Sequence, residues 1–143
     1  SRQYLEIRSI RLSLEGLAAE TAASLVTPQQ LVQLETCIQN NLAAIQDNNL
    51  ASALTHNHEF HYALTQIADM PVLSGLLDGL WMRTGPLIAS AYGSFNERMA
   101  IDHHWDVLSA LKEKNGAAAR EAICSDILDG SQKMLEYVQL EHD

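Results

Sequence analysis

TPQQLVQLETCIQNNLAAI, residues 27–45, is the stretch whose reading decides the fold. Thr27 precedes a proline at the first helical position, and Gln30 follows three residues after it. That pattern is a capping box: the threonine hydroxyl accepts the third helical N–H, and the glutamine side chain accepts from the cap's own N–H. Leu31, Leu34, Ile38, Leu42 and Ile45 then recur at steps of three or four, the period of one helix face. The same period extends outward in both directions. Upstream, Ile7, Ile10, Leu14, Leu17 and Leu25 fall on one face of a first helix. Downstream, Asp47-Asn48-Asn49 breaks the second helix and caps a third that runs to about Ala68. Asp69-Met70-Pro71 starts a fourth, carrying Leu73, Leu76, Leu77, Leu80 and Trp81, and Tyr92-Gly93 closes it. Gly85-Pro86 inside this helix predicts a kink or a split. Ser94-Phe95-Asn96-Glu97 reads as a second capping box, opening a fifth helix with Ile101, Trp105, Leu108 and Leu111. Asn115-Gly116 ends it, and a last helix spans about Ala117 to about Leu140. No segment alternates with period two. The expectation is an all-α fold, an antiparallel bundle of six to seven helices with short connections.

Composition narrows the function. The 143 residues form one domain, and 47% of them are hydrophobic, enough for a core. Acids outnumber bases 18 to 9, for a net charge of −9, whereas a surface that grips phosphates needs clustered Lys and Arg. No apolar run approaches the ~18 residues of a membrane span. Cys37 and Cys124 are too few for a disulfide framework, and no signal peptide opens the chain. A cytoplasmic setting is expected. The first residue is Ser1 rather than Met, so the expectation is a piece of a longer chain.

The buried stripes are interrupted by polar residues. Leu54, Asn57, His61, Leu64 and Ala68 share one face of the third helix. Ile101, His104, Leu108 and Leu111 share one face of the fifth, and Asp126 sits beside Ala119, Ala122, Ile123 and Ile127 on the sixth. An unpartnered buried carboxylate costs several kcal/mol. Two inward imidazoles and one inward carboxylate from three helices satisfy one another around a divalent metal such as Zn or Ni, with Asn57 as a weak fourth ligand. The same three residues also read as a buried hydrogen-bond network, since a single inward His is more often a hydrogen-bonded core residue than a ligand. His56, His58 and His103 fall off the stripes and read as solvated, and His142 lies in a terminal tail. Arg11, four residues before Glu15, reads either as a helix-surface ion pair or as a fork for a ligand carboxylate. Arg83, just before Gly85-Pro86, has the same two readings.

Other chemistries are excluded. His58-Glu59-Phe60-His61 has three-residue His spacing where the zinc-protease helix needs four. No Glu is followed three residues later by His, no glycine-rich phosphate loop occurs, and there is no G-x-S-x-G elbow. Cys37 and Cys124 read as small core residues, and Trp81, Trp105 and Tyr92 as core or interface aromatics.

Three stretches together resemble the C-terminal effector domain of FadR-like regulators in the GntR group of bacterial transcription factors. Arg11-Leu12-Ser13-Leu14-Glu15, followed by an Ala-rich turn and Leu25-Val26-Thr27-Pro28, is similar to that family's R-x-x-L-E opening. Asn57-His58-Glu59-Phe60-His61 is similar to D-x-x-F-H, and His104 with Val107, Leu108, Ala110 and Leu111 to H-x-x-I-L-x-A-L. The resemblance implies a metal site at Asn57, His61, His104 and Asp126. Two of these match the family's ligands. The other two are replaced: Asn57 stands where the family has Asp, and Asp126 where it has a His on the last helix. It also implies a winged helix-turn-helix DNA-binding domain before Ser1. The expected function is a non-enzymatic, homodimeric effector-binding and dimerisation domain over residues 1–143. A small carboxylate effector would bind at the metal with Arg11 or Arg83, and DNA would be bound only through the preceding domain. The alternative is a small metal-dependent helical hydrolase or lyase using a metal-bound water, which would need a general base beside the metal; no inward carboxylate other than Asp126 is available for that role.

Overall fold

A computed structural model describes the backbone of residues 2–94 and 101–142 and the side chains of 2–88 and 101–136. Six helices follow one another among the described residues: α1 (Arg2–Leu25), α2 (Pro28–Gln46), α3 (Leu50–Ile67), α4 (Pro71–Ser94), α5 (Asp102–Lys112) and α6 (Gly116–His142). No strand accompanies them. The α1–α6 and α5–α6 pairs and the α2–α3 pair are the main packing contacts, and α3 also lies against α1.

The capping logic holds where it can be followed. Gln30 N–H donates to Thr27 Oγ1 at 3.2 Å and Thr27 N–H to Gln30 Oε1 at 2.9 Å. Asn49 caps α3 by accepting the Ser52 N–H at 3.1 Å. At the α5–α6 junction the expected signal works in the opposite sense. Asn115 Oδ1 accepts the Ala118 N–H, so it starts α6, and the left-handed residue that ends α5 is Lys114. The capping box at Ser94–Glu97 falls largely outside the described residues; α5 starts at Asp102 after Ile101.

Pro86 does not split α4. A helical proline frees the carbonyl four residues earlier, here that of Met82. Met82 and Pro86 both lie on the exposed side, where the freed carbonyl is open to solvent.

The first helix corrects the expected stripe. Ile10, Leu17 and Leu25 are exposed, while Glu15, Gly16, Ala18, Ala19, Ala22 and Ala23 are buried. Small residues face inward because α6 approaches closely. A Cβ on Gly16 would stand 3.2 Å from Arg120 Cγ, and one on Gly116 would stand 3.0 Å from the Glu20 carbonyl oxygen. Similarly, α2 buries Asn41 and leaves Leu42 at the surface. A close helix contact selects for size before hydrophobicity. The large side chains of the core come from the other helices: Leu34, Ile38, Phe60, Leu64, Leu77, Leu108, Leu111 and Ile123.

Candidate functional site

The polar residues that interrupt the stripes meet between α1, α3, α5 and α6. His61 is buried on α3, one turn after Asn57, because Phe60 and Leu64 turn that face inward. His104 is fully buried on α5, with Phe60 stacked on its ring at 4.3 Å between centroids. Asp126 on α6 is carried beside them by Ile123 and Ile127, with its side chain 13% exposed. His61 Nε2 donates to Asp126 Oδ2 at 2.8 Å, and His104 Nε2 donates to the same oxygen at 3.2 Å. One ligand atom from each of the three lies within 4.8 Å of the others.

Behind this trio stands a residue for which the sequence reading had no role at the site. Glu15 is 2% exposed, and its Oε1 accepts from His61 Nδ1 at 2.5 Å. Its Oε2 accepts from Arg11 Nε at 2.7 Å. The Arg11–Glu15 pair is the i,i+4 ion pair of the sequence, but it is buried rather than on the surface. The signal was present in the small residues: Glu15 shares its face with Ala18, Ala19 and Ala22, the side that α6 covers.

The charges follow from these contacts. Burial alone would push the His61 imidazole down; Glu15 and then Asp126 overcome it and raise it to about 9. Burial alone would raise Glu15, yet the Arg11 guanidinium and His61 bring it down to about 2. Hydrogen bonds from His104 and His61 outweigh burial at Asp126 and hold its carboxyl well below the usual carboxylate range. Arg11, through Glu15, is held above its ordinary value despite burial. Arg11, Glu15, His61 and Asp126 thus alternate in sign along one hydrogen-bonded row.

The donor set suits a divalent cation. Two imidazole nitrogens and a carboxylate oxygen are zinc- or nickel-type ligands. Tetrahedral zinc ligands stand about 3.4 Å apart, and the two imidazole nitrogens lie 2.8 and 3.2 Å from the Asp126 oxygen. Glu15 orients His61 from its far nitrogen, as outer carboxylates do for ligating histidines. His104 lacks such a partner: its Nδ1 is buried and unbonded, and its ring is held by the stacked Phe60 and by the Nε2 bond to Asp126.

A cavity of about 410 Å³ opens onto this centre, lined by Asn57, His61 and Asp126 with Arg11 and Tyr4. That is the size of a small-molecule site. Asn57, half-buried, stands in the cavity wall. His103, read as solvated, lines the rim, where its Nε2 donates to Asp129; Asp129 holds the imidazole up against the effect of burial. Arg83 is exposed on α4 and does not line the cavity, so of the two predicted arginines only Arg11 lines it. The reason is helix phase: Leu77, Trp81 and Thr84 occupy the inward side of α4, and position 83 falls outside it. The two cysteines are half-buried, and burial pushes the Cys37 thiol up to about 11, consistent with a packing role. The side chains of Tyr92 and His142 lie outside those described.

Known proteins share this fold. The family model described as the FCD domain matches residues 6–128. The chain is 30% identical over 125 residues to the HTH-type transcriptional regulator McbR of Escherichia coli K12, covering 85% of this chain and 57% of that protein. It is 28% identical over 138 residues to the HTH-type transcriptional repressor RspR of the same strain, covering 94% of this chain and 59% of that protein. The solved structure of E. coli McbR/YncC superposes with a TM-score of 0.88 at 26% identity, over 95% of this chain and 69% of that one. The chain therefore spans under three-fifths of the length of these two curated relatives.

Proposed function

The chain belongs to the FCD domain family of GntR-type transcription regulators, and from that premise we propose that it is the effector-sensing half of a DNA-binding regulator. It would bind a small organic acid beside a divalent cation. The observation that carries this reading is the cluster of His61, His104 and Asp126, of which His61 and Asp126 line a cavity that Arg11 also lines. His61, His104 and Asp126 would hold the cation, zinc or nickel, with Asn57 at the wall. A bound cation supplies a Lewis-acidic positive point for a carboxylate oxygen. Arg11, which lines the cavity, would contribute its guanidinium to the carboxylate. The family's regulators, rather than enzymes, are the setting in which this site belongs.

A ligand switches such a protein only by binding its two states with different affinity, and a few kcal/mol suffices. In our reading the cytoplasmic protein is a homodimer, with a winged helix-turn-helix segment before Ser1 in each copy. Effector binding shifts α1, α3, α5 and α6 around the cavity. The spacing of the two DNA-binding segments, and their fit to two half-sites, changes with it.

Elemental analysis and zinc calorimetry test the reading. The chain should take up one cation, and the His61→Ala, His104→Ala double variant should fold and take up none. A panel of small carboxylates should raise the thermal midpoint of the zinc-loaded wild type. Freshly purified protein that binds carboxylates but no zinc or nickel removes the cation from the proposal. The continuous row from Arg11 to His104 supports a second reading, a purely structural network. A thermal midpoint unmoved by chelator or by added cation favours that one.

A further inference from the structure

Ser131 is 2% exposed and continues the inward stripe of α6 that Ile123 and Ile127 begin and Met134 extends. It lines the same cavity as Asp126, from a position further along the helix. At the α-helical rise the two positions are about 7.5 Å apart along the axis. The Ser131 hydroxyl oxygen accepts from Arg8 Nη1 on α1 at 3.3 Å. A helical hydroxyl can return its own proton to the carbonyl four residues back, as Ser9, Thr55 and Thr84 do. Ser131 does not, and among the described residues no acceptor takes its proton.

Arg8 is incompletely used as well. It is half-buried, its Nε is buried without a partner, and among the described residues no carboxylate pairs with it. The other side-chain tie between α1 and α6, Arg120 to Glu20, is by contrast a charge pair. Two acids at the exposed rim of the cavity are engaged elsewhere, Asp129 by His103 and Glu136 by Gln132. A guanidinium drawn partly out of water without a counter-charge is costly, and a tie between helices alone would not require one.

The geometry points to Ser131, polarised by Arg8, as a second anchor in the cavity, and to an extended dicarboxylate as the ligand that uses both ends. This deepens the organic-acid reading and rests on it. One carboxylate lies at the end held by His61, Asp126 and Arg11. The other accepts the Ser131 proton and supplies the negative charge that Arg8 lacks. Arg8 does not line the cavity, so it is a positioning residue that acts through Ser131. Ile88 and Ile127 line the wall, which favours methylenes over hydroxylated carbons along the chain. Bonds of about 1.5 Å in an extended zigzag advance about 1.25 Å each, so carboxyl carbons roughly 7 Å apart belong to acids of six or seven carbons.

Calorimetry on the zinc-loaded chain with adipate, pimelate and hexanoate tests this. Adipate or pimelate should bind at least ten-fold more tightly than hexanoate, which lacks the second carboxylate. Ser131→Ala should cut that preference below three-fold and leave hexanoate affinity and zinc uptake unchanged. Arg8→Gln keeps a donor for Ser131 and removes the charge; it should weaken the dicarboxylates at least five-fold and leave hexanoate unchanged. Variants that weaken all three acids alike report packing of α1 on α6 and overturn the anchor. So does hexanoate binding as tightly as the dicarboxylates, or a preference that survives Ser131→Ala; either leaves the organic-acid reading standing. If acetate or propionate binds and none of the three longer acids does, only the anchor falls. If no carboxylate binds, both readings fall.

Discussion

Glu15 and His61, 46 residues apart in sequence, are joined by a 2.5 Å hydrogen bond from Nδ1 to Oε1 inside the bundle. That bond ties α1 to α3 and sets which imidazole nitrogen faces Asp126. Removing one partner of a buried ion pair leaves the other charge uncompensated and costs about 3–5 kcal/mol. Glu15→Gln keeps the shape and strands Arg11 and His61, so it should lower unfolding stability by about 3 kcal/mol in urea titrations. Arg83→Ala, at an exposed position outside the cavity, should stay within about 0.5 kcal/mol of wild type and leave zinc binding unchanged. A Glu15→Gln loss below 1 kcal/mol would mean that the row contributes little to folding.

Stability should also depend on pH in a defined window. The His61 imidazole is raised from 6.5 to about 9, so its contribution is complete below pH 6.5 and is lost as pH rises toward 9. Glu15 is lowered from 4.5 to about 2, so its contribution is complete above pH 4.5 and is lost as pH falls toward 2; Asp126 acts in the same direction. With chelator present, unfolding free energy should peak between pH 4.5 and 6.5. It should fall by something on the order of 3 kcal/mol by pH 9. A flat profile from pH 6 to 9 would show that His61 is not held as an imidazolium.

Asn57 gives a gain-of-function test. It stands in the wall of the cavity that His61 and Asp126 line, and it offers a neutral oxygen where a carboxylate would add charge. Asn57→Asp should tighten zinc binding at least ten-fold by competition with a chromophoric chelator. An affinity unchanged or weakened would place position 57 outside the ligand set.

The packing of α1 on α6 has its own test. Gly116 opens α6 against the backbone of Glu20, with 3.0 Å between an added Cβ and the carbonyl oxygen. Backbone cannot rotate away as a side chain can. Gly116→Val should destabilise by about 1–3 kcal/mol through overpacking, measured by thermal unfolding. A midpoint within a degree of wild type would show that the helices separate without strain.

Much of the fold was legible because helix boundaries are local. Thr27, Pro28 and Gln30 specify a cap within four residues, and the stripes of α3, α5 and α6 brought His61, His104 and Asp126 inward as expected. The stripe of α1 was misread because periodicity ranks residues by hydrophobicity, whereas the contact with α6 ranks them by size. Arg83 lies away from the cavity for a related reason. Proximity to a proline says nothing about helix phase, and phase is set by what Leu77 and Trp81 pack against.

Sequence alone determined the helices, their order, and the three ligand-type residues that point inward, because each depends on spacing within a few turns. It also carried the ordered motifs that mark the family. Only the tertiary structure decided that Glu15 stands behind His61 and that Arg11 belongs to the cavity while Arg83 does not. These depend on how four helices are rotated against one another. That rotation is chosen by the close fit of small residues between α1 and α6, which no single helix encodes.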